Sequence, residues 1–75
     1  MSMMTTRITT RLDSIVANYR NGNRSDAAHA IRLLSRVEIA LLLTEDQQLP
    51  NGFAGDAPNR YDFQKFVVTA LDGRQ

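Results

Sequence analysis

"RSDAAHAIRLLSRVEIALLL", residues 24–43, decides the fold. It holds neither glycine nor proline, and its apolar side chains recur at helical spacing. Ala30, Leu33, Val37 and Ala40 form one stripe, and Ala27, Ile31, Leu34 and Leu41 form a second beside it. This spacing predicts one helix over 24–43. Its first half is amphipathic, with Arg32 and Arg36 facing outward. Its second half is apolar nearly all round, because Ile39 and Leu43 continue the arginine side. A helix that is apolar on every face has to be covered on every face. The rest of the chain supplies only two short helices, which cannot surround it. Val37, Glu38, Ile39, Leu42 and Leu43 are therefore expected to meet another protein, with a second copy of this chain as the first candidate.

Glu38 stands at the centre of the second stripe, with no arginine three or four positions away. A lone buried carboxylate is costly. It is expected to find Arg7 or Arg11 of the preceding helix, to meet an arginine of a second subunit, or to reach solvent at the edge of the core.

Upstream, Ile8, Leu12, Ile15 and Tyr19 fall on one helical face, and Arg7, Arg11, Ser14 and Asn18 line another. A helix over 5–21 follows, capped by Thr5 or Thr6 and stopped by Gly22. Downstream, "TEDQQLPNGFAGDAP" (44–58) breaks all periodicity with two prolines and a turn-forming "NG". Leu49 and Phe53 are its only large apolar anchors, so it reads as a surface loop tacked down at two points. A last helix over 60–72 opens near Asn59 and carries the stripe Phe63, Phe66, Val67 and Ala70, flanked by Tyr61, Val68 and Leu71, with Gly73 as its stop. The expectation is an all-α, three-helix single domain over residues 1–75.

The frame Asn-Arg-x-Asp occurs twice, at Asn23 and at Asn59. In both copies the asparagine stands where a helix N-cap is expected, and Asp26 or Asp62 follows three residues later, as in a capping box. The repeat therefore reads as helix punctuation. Arg24 and Arg60 place a cation at the positive end of a helix, where the dipole disfavours it. Together with Arg32 and Arg36 they are the candidate contacts for an anionic partner.

Composition narrows the function. Net charge is +1. Residues 1–36 carry six arginines against Asp13 and Asp26, a net +4, and residues 37–75 carry Arg60, Lys65 and Arg74 against six acids, a net −3. The halves either attract each other or present a basic face to a partner. With no cysteine and a single histidine, His29, neither a disulfide framework nor a zinc site can form, and no glycine-rich phosphate loop is present. An enzyme is not expected, nor any cofactor. The longest apolar run, "VEIALLL", is far short of a membrane span and contains Glu38, so a cytoplasmic protein is the default. A small domain without disulfides or metals is commonly stabilised by oligomerisation.

The expected function is a small regulatory or inhibitory protein that binds another protein, of the kind phage and plasmid genes often encode. The alternative is a dimeric DNA-binding regulator. Helix, "NGN" turn and helix are similar in outline to a helix-turn-helix, with Ser25, Asp26, His29, Arg32 and Arg36 available to a groove. Asn18 and Ala28, however, occupy positions where that motif favours a small residue and a branched apolar one.

Overall fold

The computed structural model describes residues 3–73. Among them it is all-α, with helices α1 (Met3–Arg20), α2 (Arg24–Arg32), α3 (Arg36–Thr44) and α4 (Ala57–Asp72) and one turn of 3-10 helix at Asp46–Gln48. The expected fold class holds, but the number of helices is four, because the segment 24–43 is broken.

The break is at Leu33–Ser35. The N–H groups of Leu33 and Leu34 turn back to the carbonyls of Ala30 and Ile31 at 3.1 Å, closing α2 with tight i to i−3 bonds. Ser35 then adopts an extended conformation (φ −72°, ψ 168°) and starts a new helix. Its hydroxyl accepts from the Glu38 N–H at 3.2 Å, and Glu38 Oε1 accepts from the Ser35 N–H at 2.8 Å. This reciprocal pair is a capping box, and it satisfies two backbone donors that the break sets free. Leu34 lies at the bend and is buried.

α1 ends as the sequence predicts. Gly22 takes φ +87°, its N–H bonds Tyr19 O at 3.3 Å, and the Asn23 N–H bonds Asn18 O at 2.8 Å, which together make a Schellman stop. α1 begins at Met3, so Thr5 and Thr6 fall inside the helix and not ahead of it; their side chains lie outside the described residues.

The repeated Asn-Arg-x-Asp frame does not cap. Asn23 occupies the N-cap position of α2 but makes no capping bond, and its amide faces Asn18 Oδ1 at 3.4 Å. Asn59 is already inside α4, which starts earlier because Pro58 has its φ preset for the first turn. The Asn59 amide donates to the Asp56 carboxylate at 2.8 Å, and Asp62 lies beyond the first turn.

α1 packs on α2 and α2 on α4, while α3 lies against α1 and the 3-10 turn. The molecule measures 33 × 30 × 19 Å, about two helix diameters deep. Its core joins Leu12, Ile15, Val16 and Tyr19 of α1 to Ala27 and Ile31 of α2, Leu42 of α3, and Phe63, Val67 and Ala70 of α4. Leu49 and Phe53 are buried in the same core, so the connecting segment is anchored where expected. Asp13 adds a third tether, its carboxylate accepting from the backbone N–H and the side-chain amide of Asn51, both at 2.7 Å.

Candidate protein-binding surface

The two stripes read from the sequence have opposite fates. Ala27, Ile31 and Leu34 are fully enclosed, and Leu41 is half-buried. Along the other stripe, Ala30 is half-buried, Ala40 is exposed, and Leu33 and Val37 are 71% and 67% exposed. In α3, "RVEIALLLT", only Leu42 is fully buried. Ile39 and Leu43 are half-buried, packed along the margin of the core. The least polar helix is therefore also poorly covered.

Each expected interface residue can now be placed. Val37 is exposed, and Ile39 and Leu43 present part of their surface. Leu42 is fully buried in the core of the single chain and offers no surface to a partner there. Glu38 is not a lone carboxylate: besides the capping box, its Oε2 meets Arg11 Nη1 at 2.8 Å. Arg11 is the in-chain partner that the sequence suggested.

The Ser35 backbone N–H, more than Arg11, holds the Glu38 carboxyl below its usual range. A carboxyl depressed in the folded state contributes stability that is complete above its unfolded value of 4.5 and is lost as pH falls through the lower folded value. In urea titrations, Glu38→Gln is therefore expected to be less stable than the parent at neutral pH, with the gap closing below pH 4.5. Ser35→Ala should cost about 1 kcal/mol at neutral pH.

The four arginines proposed for an anionic partner do not act together. Arg60 pairs with buried Asp46, its Nε 2.9 Å from Oδ1. Arg32 Nε donates to Ala70 O at 3.0 Å and sits at the C-terminal end of α4, where the dipole favours a cation. Arg24 lies over Tyr19, its Cζ 3.9 Å from the ring centroid, and its Nε donates to Tyr19 O at 2.9 Å. Arg36 is exposed, its side chain with no hydrogen bond or ion pair among the described residues. A groove-reading face on α2 thus lacks Arg32, and α2 itself spans nine residues.

A second apolar strip lies on α4. Tyr61 and Val68 are 62% and 53% exposed, two helical turns apart. Between them, Gln64 reaches across to donate to Leu43 O at 3.1 Å, so this strip borders the end of α3. Helical spacing had placed both beside the core; their outward position follows from which side of α4 meets α2. No group of metal-ligating side chains occurs among the described residues, and no described helix is long and apolar enough to cross a membrane.

The geometry defines a small all-α domain with an incompletely covered apolar helix. No family model, no curated protein and no solved structure matches the chain.

Proposed function

We propose that this protein is a small non-enzymatic regulatory module that acts by binding protein, and that its first partner is a second copy of itself. The observation that carries this reading is the exposure of Leu33 and Val37 at the α2–α3 corner, next to and on a helix, α3, that buries only Leu42 completely. A stable dimer covers about 800 Å2 on each partner. α3, about 13 Å long, offers only part of that, so the Tyr61–Val68 strip bordering its end is expected to join the contact. Arg36, at the start of α3, supplies a polar rim.

Light scattering should give about twice the 8.4 kDa chain mass at micromolar concentration. Val37→Asp and Leu33→Asp should each return it to the single-chain value with the helical circular dichroism intact, since neither side chain is part of the core. A monomeric parent across that range would refute the self-association. With tagged bait and nuclease treatment, retention of one dominant protein by the parent but not by the variants would identify any further partner.

A further inference from the structure

A second surface, bordering the apolar α4 strip at Lys65 and Thr69, lies where the α1–α2 corner faces α4. Tyr19 is at its base, with its ring 5.0 Å from both Phe63 and Phe66 and 6.4 Å from Phe53. Two guanidinium groups cover these aromatics. Arg20 stands 4.5 Å from the Phe53 centroid and donates to Asn51 O and Gly52 O, both at 2.8 Å. Arg24 has its Cζ 3.9 Å from the Tyr19 centroid and 5.8 Å from that of Phe66. The open space between these arginines and α4 is a cleft of about 570 Å3, rimmed on the helix side by Asn59, Asp62, Lys65 and Thr69.

Arg11 and Arg60 are matched by carboxylates, but Arg20, Arg24 and Lys65 make no ion pair among the described residues. Backbone carbonyls take only the Nε of Arg24, leaving both of its terminal nitrogens without hydrogen-bond partners among the described residues. The Lys65 ammonium is likewise free of hydrogen bonds there, resting 5.3 Å from the Tyr61 ring. The ring contacts and the carbonyl bonds hold both guanidinium groups in place in advance, which lowers the side-chain entropy lost when an anion arrives.

We infer that the cleft binds the phosphate group of a nucleotide, either free or within a strand. A guanidinium fork on one wall suits a tetrahedral oxyanion, and Lys65, on the α4 rim with its ammonium resting by Tyr61, adds positive charge at the edge. The volume lies within the range of about 300–1,000 Å3 typical of small-ligand sites. Asp62 would oppose a bare anion, but its carboxylate accepts from a sugar hydroxyl or a base amine, and Asn59 and Thr69 add neutral donors and acceptors. A phosphate on the cations with a nucleoside reaching Asp62 uses both kinds of wall. The arginine wall of the cleft lies outside the proposed self-association surface, which the cleft meets only at Lys65 and Thr69.

The test is a heteronuclear NMR titration of the full chain with adenosine monophosphate in one arm and a short mixed-sequence single-stranded oligonucleotide in the other. The amides of Arg24, Lys65 and Thr69 should shift in at least one arm. The apparent affinity should fall about tenfold in Lys65→Gln and in Arg24→Gln, one lost charge-assisted contact each. Lys65 is exposed, so its variant reports on binding without loss of folding. Saturable binding of the monophosphate points to a free nucleotide. Tighter binding of the oligonucleotide, falling steeply with salt, points to a strand. The inference is overturned if neither probe moves these amides up to millimolar concentration, or if both variants bind like the parent. It is equally overturned if a polyglutamate peptide shifts the same amides more strongly than either probe.

Discussion

Replacing Arg60 by methionine should destabilise the fold by about 3–5 kcal/mol, the usual cost of removing one partner from a buried ion pair. Asp46 is completely buried, and one carboxylate oxygen accepts from Arg60 Nε at 2.9 Å. The other has no hydrogen-bond partner among the described residues. Arg60 is the only compensation this charge has within the described structure, and Arg60→Met leaves a carboxylate enclosed with neither oxygen matched. The reverse change is asymmetric. The Arg60 side chain is 32% exposed, so in Asp46→Asn its guanidinium returns to water and the buried group is neutral. Asp46→Asn should therefore cost well under half as much. The double variant should be more stable than Arg60→Met alone. For a chain this size, with total stability of about 4–11 kcal/mol, the single arginine change moves the urea midpoint a long way. A midpoint unchanged from the parent would show that the Asp46 carboxyl finds water, and that the pair is ornamental.

The same pair shows how a sequence is read and misread. Arg60 was legible as a cation near a helix start, which the dipole disfavours, and a recognition role was one way to explain it. Its partner is Asp46, fourteen positions away across an irregular segment, and no periodicity reports such a contact. The central break is different, because its signal was local. Ser35-Arg36-Val37-Glu38 is a Ser-x-x-Glu frame ahead of an apolar run, the signature of a capping box. Apolar spacing ran on through it without a glycine or proline, so one long helix fitted the pattern as well as two short ones. Once the box is recognised, Glu38 needs no foreign arginine, since the Ser35 N–H and Arg11 satisfy it within the chain. The Asn-Arg-x-Asp repeat pulled the other way: asparagine at a helix start satisfies the rule by type, yet Asn23 turns its amide to Asn18 and Asn59 lies beyond the first residues of α4. Residue type permits a cap, and only the backbone around it decides whether one forms. The core stripes of α1 and α4 were readable because burial repeats with helical period. Which of two equivalent stripes on the central segment would face outward was not, since that choice depends on where α1 and α4 come to rest.

Phe53→Ala is the second change expected to cost about 3–5 kcal/mol, the range for removing a buried aromatic. Phe53 is 1% exposed although it belongs to the segment between α3 and α4, and its ring lies 5.2 Å from Phe63 and 6.4 Å from Tyr19. Truncation empties the space that joins this segment to the helices, and the neighbouring backbone cannot close it easily. A Cβ on Gly52 would already run into Asp46 O and stand 2.9 Å from Leu49 O, so the turn from 46 to 52 is packed against itself. Loss of the ring also removes the surface beneath Arg20, whose bonds to Asn51 O and Gly52 O hold the segment from above. The expected result is a lower melting temperature, a weaker near-ultraviolet signal from the Tyr19 cluster, and faster proteolysis between residues 45 and 56. Pro50→Ala, at an exposed position of the same segment, should stay within about 0.5 kcal/mol of the parent. The contrast separates two roles for the longest irregular stretch of the chain. A recognition loop would tolerate Phe53→Ala in stability and lose only a partner. A segment that completes the core would lose stability first, and with it the floor of the cleft beneath Arg20.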